Sequence, residues 1–160
     1  MSLGSVKAWL AVHAPDVQLI EAHGSTATVL DAAATLGVQP GQIAKTLSVR
    51  VGDHTFLLVT RGDARLDNQK AKAEFGGRPR MLDSDQTLEL TGHPVGGVCP
   101  FGLATPLPIY VDVSLRDFDI VYPAAGSRNS SVEITPLHLF ELVGERWVDA
   151  CRLPEEPAGT

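Results

Sequence analysis

Residues 92–102 read Gly-His-Pro-Val-Gly-Gly-Val-Cys-Pro-Phe-Gly, and no other stretch restricts the fold as much. Glycine reaches positive φ at no steric cost, whereas proline holds φ near about −65° and gives up its amide donor. Glycines at 92, 96, 97 and 102 and prolines at 94 and 100 therefore prescribe a backbone path between an apolar helical segment and a strand-like one. Gly96 and Gly97 carry no side chain to hold a ligand off the main chain, and Pro94 and Pro100 stiffen the run on either side. Such a loop is either a rigid connection or a cradle whose amides meet a small polar ligand.

Lys45 bears on that choice. The segment Ile43–Val51 alternates cleanly as a strand, with Ile43, Leu47, Val49 and Val51 on one face and Ala44, Thr46, Ser48 and Arg50 on the other. Lys45 falls on the apolar face. An ammonium there is desolvated unless it reaches a cavity or an anion. Two placements stay open: inward, or at a solvated strand edge if the strand begins at Thr46. The inward placement makes Lys45 the first candidate for a functional side chain.

The rest of the chain supplies a scaffold. Residues 6–13 predict a short helix with Trp9, Leu10 and Val12 as its apolar surface, stopped by Pro15, and 17–21 a strand. Ser25 or Thr26 is the expected N-cap of a helix carrying Val29, Ala33 and Leu36, closed by Gly37. After a turn at Asp53 and His54, residues 55–60 form a nearly continuous apolar run, the pattern of a strand buried on both faces and paired with Ile43–Val51. Asp67 caps a helix that Gly76 and Gly77 close, and Ser84–Thr91 forms another with Gly92 just past its end. Strands follow at 109–113, 119–122 and 131–134. Thr135 and Pro136 open a helix over 137–143, and Trp147 and Val148 form a last strand or pack on the core. Strands both in hairpins and separated by helices predict an α+β fold, a mixed, largely antiparallel sheet or partial barrel surrounded by helices.

A chain of 160 residues, 44% hydrophobic and 20% charged, can bury a core without cross-links. One domain over 1–160 is expected, with 154–160 as a flexible tail. No apolar run approaches a membrane span, and residues 1–4 lack the pattern of a secretory signal, so the cytoplasm is the expected compartment. Cys99 and Cys151 are too few for a disulfide framework and are expected to be thiols. The formal net charge of −6 argues against a protein that coats nucleic acid non-specifically. Yet Arg61, Arg65, Lys70, Lys72, Arg78 and Arg80 cluster against only Asp63, Asp67 and Glu74. This basic segment is either a solvated helix face, with Lys70 and Glu74 paired at i,i+4, or a surface for an anionic partner.

Several chemistries are missing. Neither a phosphate-binding Gly-x-x-x-x-Gly-Lys loop nor a Gly-x-Gly-x-x-Gly turn is present, and Gly-x-Ser-x-Gly is absent as well. His13, His23, His54, His93 and His138 are scattered without metal-binding spacing, so no metal is expected. Cys99 is the one nucleophile within the loop, either a packing residue or a thiol needing activation for which no histidine partner is specified. Asn129 and Glu133 present hydrogen-bonding groups, or simply complete a turn and an exposed strand face.

Lys45-Thr46, the Gly-Gly-Val-Cys-Pro-Phe-Gly loop, and Ser-Arg-Asn-Ser-Ser-Val-Glu-Ile before a Thr-Pro-initiated helix together resemble the YbaK / prolyl-tRNA synthetase editing-domain family. The likeness covers nearly the whole chain, about residues 6–148, with the family's strand lysine on Lys45 and its Gly-x-x-x-Pro loop on Gly96 and Pro100. The resemblance implies a mixed α/β hydrolase, without metal or nucleotide cofactor, that removes a wrong amino acid from tRNA, typically tRNA for proline. It implies the tRNA acceptor end as partner, with prolyl-tRNA synthetase as a further one. Under it, Lys45 anchors substrate and stabilises charge. Gly96, Gly97 and Val98 supply backbone donors, and Thr46 a pocket wall. Cys99, Pro100, Ser127, Arg128, Asn129 and Glu133 complete the substrate site, and the cluster from Arg61 to Arg80 meets acceptor-stem phosphates.

The chain departs from the family in two places. Ser127-Arg128-Asn129 stands where alanine-editing members carry a histidine, and Cys99 where many relatives have a small hydroxyl residue, so the rejected amino acid stays open. A non-catalytic module that binds an aminoacyl or nucleotide group, and a cysteine hydrolase acting through Cys99, are the competing readings.

Overall fold

The computed structural model describes residues 2–154, so all but the first residue of the tail expected at 154–160 lies outside the described residues. Helix α1, Ser2–His13, is followed by β1, Gln18–Glu21, and by α2, Val29–Leu36. A 3-10 turn at Pro40–Gln42 leads into the hairpin of β2, Ile43–Val51, and β3, His54–Arg61. Then come β4 (Arg65–Leu66), α3 (Asn68–Phe75), β5 (Arg80–Met81) and α4 (Ser84–Thr91). Beyond the glycine-rich loop lie β6 (Ile109–Asp112), a 3-10 turn at Val113–Asp117, β7 (Tyr122–Pro123) and β8 (Ser130–Glu133). The chain continues with α5 (Pro136–Val143), β9 (Arg146–Val148) and β10 (Cys151–Arg152).

Local chemistry sets most boundaries. Asp67 accepts the Lys70 amide at 2.9 Å, Thr135 the His138 amide at 3.1 Å, and Gly37, Gly76 and Gly92 close three helices in the left-handed conformation. Other expectations need correction. The cap of α2 is Thr28, which accepts the Asp31 amide at 3.1 Å, and not Ser25 or Thr26. Helix α1 begins at Ser2 and turns Val6 and Leu10 inward, which leaves Val12 77% exposed. The strand expected at 119–122 shrinks to β7, because the 3-10 turn carries the chain past the sheet first. Lys70 and Glu74 do not pair. Lys70 reaches Asp149 at 3.3 Å and Glu74 takes Arg146 at 2.9 Å, so both hold the C-terminal segment instead of each other.

The fold is α+β around an open six-stranded sheet of order β5-β2-β3-β6-β9, with β7 also paired to β2. β2 runs antiparallel to β3 and β5, while the β2–β7, β3–β6 and β6–β9 pairs are parallel. Small antiparallel pairs, β1 with β8 and β10 with β4, lie outside it. β3 is buried from Phe56 to Thr60, as its apolar run requires. One apolar cluster joins Val6 and Leu10 of α1 to Leu57, Val59, Val111 and Leu139, and a second gathers Val49, Phe56, Leu58 and Tyr110 on the other side of the sheet. Among the described residues no helix is long and apolar enough to cross a membrane.

One feature of the sheet positions the site. On the outer edge of β2, β7 covers Ile43 and Ala44, and β5 covers Val49 and Arg50. Lys45, Thr46 and Leu47 between them have no strand on that edge. Ser48 sends its carbonyl outward to the Leu82 amide at 3.0 Å, and strand main chain alternates edges residue by residue. The amide and carbonyl of Thr46 therefore face the gap.

Candidate active site

A cavity of about 280 Å³ fills this gap. Its floor is the open edge of β2 with Lys45 and Thr46, one wall is the first turn of α2, and the end of β5 closes a second side at Met81 with Leu82 just after it. Val95, Gly96 and Val98 of the glycine-rich loop form the third wall, and Tyr122 of β7 the end. Two parts of the chain some fifty residues apart in sequence, the strand lysine and the loop, thus meet at one hollow.

Lys45 is half-buried, and its Nζ donates to the Ala64 carbonyl at 2.5 Å. Burial lowers the pKa of the ammonium below the ordinary 10.5, opposed by Cys151 and Asp63. Thr46 Oγ1 is buried and has no hydrogen-bond partner among the described residues. A buried hydroxyl without a protein partner costs stability, and because Thr46 lines the cavity its hydroxyl is available to a molecule bound there.

The loop is divided in its roles. Gly96 adopts φ +93°, and a Cβ on it would stand 3.1 Å from both the Ala27 Cβ and the Arg128 Cγ. Gly97 does not line the cavity. Its amide donates to the Pro94 carbonyl at 2.9 Å and its carbonyl accepts from Gly126 at 3.0 Å, so it locks the turn and is not a free donor. The amides of Gly96 and Val98 have no partner among the described residues and are the donors left to a ligand.

The remaining candidates stand farther back. Cys99 is fully buried beside His93, whose Nε2 lies 3.5 Å from the thiol, and burial pushes the thiol up to about 12. The structure places it in the core behind the loop, with Pro100 buried next to it. Ser127 and Asn129 bond each other at 3.0 Å, Asn129 also reaches the Ala22 carbonyl at 3.3 Å, and Arg128 holds the Val95 carbonyl at 3.2 Å. These three brace the loop from behind. Glu133 accepts from the Tyr122 hydroxyl at 3.0 Å and touches the cavity only through that ring.

The basic cluster separates in space. Arg61 is tied to Asp63 at 2.7 Å and Asp117 at 2.8 Å, and Lys70 to Asp149. Arg65 lies on β4 opposite Arg152, and Lys72 is exposed on α3. Arg80 on β5 adjoins the cavity residue Met81, whereas Arg78 is exposed two residues before that strand, on the side of the β2–β3 turn. Sequence reasoning missed the α2 turn, Tyr122 and Leu82, since their place depends on pairings between distant strands. The Thr28 cap, an Asp three residues behind it, was a readable signal for the first of them. Among the described residues no group of three or more His, Cys, Asp or Glu is arranged to hold a metal ion.

The family model described as "Aminoacyl-tRNA editing domain" matches residues 23–142, which span both Lys45 and the loop. The uncharacterized protein YwhH of Bacillus subtilis (strain 168) is 47% identical over 154 residues, 95% of this chain and 98% of that protein. A proline–tRNA ligase of Geobacter sp. (strain M21) is 35% identical over 90 residues, and this chain spans only 16% of its length. Among solved structures, one described as a candidate trans-editing enzyme for prolyl tRNA synthetase superposes with a TM-score of 0.87 at 33% identity, covering 94% of this chain and 97% of that one. The hypothetical protein APE2540 superposes with a TM-score of 0.85 at 33% identity over 92% of this chain and 99% of its own. With three quarters of its length inside the family model and both halves of its cavity within that span, the chain belongs to the aminoacyl-tRNA editing domain family and is a hydrolase of the aminoacyl-tRNA deacylase class.

Proposed function

We propose that this protein removes a small non-cognate amino acid from tRNA for proline, with the terminal aminoacyl-adenosine in the cavity beside β2. The observation that carries the reading is that Lys45, Thr46, Gly96 and Val98 line one hollow. Its volume, about 280 Å³, is at the low end for ligand sites, which suits a small acyl group. The tRNA for proline enters through the likeness to proline–tRNA ligases and to the candidate trans-editing enzyme for prolyl tRNA synthetase.

An aminoacyl ester is reactive, so the protein has to position it and stabilise the charge of its transition state. Water attacks the acyl carbon, the bond from that carbon to the ribose oxygen breaks, and the proton of the water ends on the ribose hydroxyl. The free amides of Gly96 and Val98 receive the negative charge that develops on the carbonyl oxygen. The Lys45 ammonium, held by the Ala64 carbonyl, adds a positive charge in partly desolvated surroundings, where it counts for more than in water. Thr46 gives its unpaired hydroxyl to the substrate. Cys99 takes no part, because a fully buried thiol pushed up to about 12 is a poor nucleophile.

The test is release of amino acid from tRNA for proline charged with alanine, cysteine, serine, threonine or 2-aminobutyrate. Wild-type protein is expected to discharge at least one of these and to leave prolyl-tRNA intact. Binding of every charged tRNA without release would favour the non-catalytic module.

A further inference from the structure

The β2–β5 ladder sets Arg50 directly opposite Arg80. Like charges directly opposite in an antiparallel pair repel, so the fold bears a cost here that an Arg–Glu pair would avoid. Among the described residues neither arginine has a carboxylate within ion-pair distance, unlike Arg61, Arg146 and Lys70. Arg50 is half-buried, with its Nε donating to Thr55 Oγ1 at 3.0 Å, and Arg80 is exposed. Asp83, three residues after Arg80, is committed to capping α4 through the Gln86 amide at 2.8 Å, and Asp53, three residues after Arg50, lies exposed in the β2–β3 turn and forms no ion pair among the described residues.

The pair also adjoins the cavity. Ser48, two residues before Arg50 on the same face of β2, lines it, as does Met81, the residue after Arg80. We propose that Arg50 and Arg80 clamp the RNA phosphate 5′ to the terminal adenosine whose ribose enters the cavity. Arg80 is exposed directly opposite Arg50, and guanidinium forks without carboxylate partners present the planar donors that phosphate oxygens match. One strand step of two residues, about 7 Å, separates the pair from the cavity wall, roughly one nucleotide's reach. The inference rests on the deacylase reading for what fills the cavity. It moves the phosphate contact from the dispersed cluster at Arg61 and Lys70 to a pair that includes Arg50.

Binding of an uncharged acceptor-stem hairpin with a single-stranded CCA end, followed by fluorescence anisotropy between low and moderate salt, tests it. Arg80→Gln and Arg50→Gln are each expected to weaken binding about five- to tenfold at low salt and to reduce the slope of log affinity against log salt by about 0.7, the value for one single-strand phosphate. Lys7→Gln, which removes a charge on α1, is the comparison and is expected to leave the slope as it is. Wild-type slopes in both arginine variants, or no binding of the hairpin by wild-type protein, would overturn the clamp. Hydrolysis by the same preparations separates the two readings. Arginine-dependent binding without amino acid release keeps the clamp and removes the deacylase, whereas release with arginine-independent binding does the reverse.

Discussion

The amide of Gly126 donates to the carbonyl of Gly97 at 3.0 Å, and a Cβ on Gly97 would stand 2.7 Å from the Gly126 carbonyl carbon and the Ser127 nitrogen. Two motifs thirty residues apart are therefore one object, with the loop holding the cavity wall and the Ser127-Arg128-Asn129 turn holding the loop. Because the obstructing atoms are backbone and cannot rotate away, Gly97→Ala is expected to destabilise the fold by about 2 kcal/mol or more. Urea unfolding monitored by circular dichroism measures this, and a midpoint equal to wild type would refute the packing.

Lys45→Met keeps the stem of the side chain and removes the charge. Loss of a preorganised positive group is expected to lower amino acid release by about a hundredfold or more, with an unchanged circular dichroism spectrum. In wild-type protein the ammonium loses its proton below the ordinary 10.5, so the rate should fall on the alkaline side before that pH. A flat alkaline limb, or release by the variant at the wild-type rate, would remove Lys45 from the chemistry.

Thr46→Val replaces the unpaired hydroxyl with a methyl of similar shape. The free protein should gain about 1 kcal/mol of stability, since a buried group without a partner disappears. Release of amino acid should meanwhile slow or lose selectivity by about tenfold. Denaturant midpoints and the panel of charged tRNAs read the two effects separately.

Cys99→Ala distinguishes packing from nucleophilic catalysis. It leaves a small void in the core, for about 1 kcal/mol of lost stability, and activity is expected to persist because the thiol lies outside the cavity. Abolished release in a folded Cys99→Ala protein would reinstate the cysteine hydrolase.

His93 predicts a pH dependence of stability. Its Nε2 donates to the Phe101 carbonyl at 2.7 Å while Nδ1 accepts from the Ser2 hydroxyl at 2.5 Å, which is the pattern of a neutral ring. Burial lowers its pKa from 6.5, so the unfolded chain binds the proton more readily than the folded one. The stability this group confers is complete above about pH 6.5 and is lost as the pH falls through the lower, folded value. Chemical denaturation from pH 7.5 downward should show this slope in wild-type protein, and His93→Gln should reduce it.

The amino-acid sequence alone settled what depends on neighbours along the chain. Clean alternation set the span of β2, a continuous apolar run set the burial of β3, and Asp67, Thr135, Gly37, Gly76 and Gly92 set helix ends, because capping and side-chain period act over a few residues. It also singled out Lys45 as a charge on an apolar strand face. Tertiary structure decided what depends on which strands meet. The unpaired edge of β2 exists only because β5 and β7 stop short of each other, and Arg50 faces Arg80 only through that register. Other long-range contacts put Cys99 in the core and gave the Gly97 carbonyl to the Gly126 amide, and they drew Arg61 and Lys70 onto carboxylates from distant segments. Local pattern says which groups a strand offers, but the partner that satisfies each, or leaves it free for a ligand, is chosen by contacts between residues far apart in the chain.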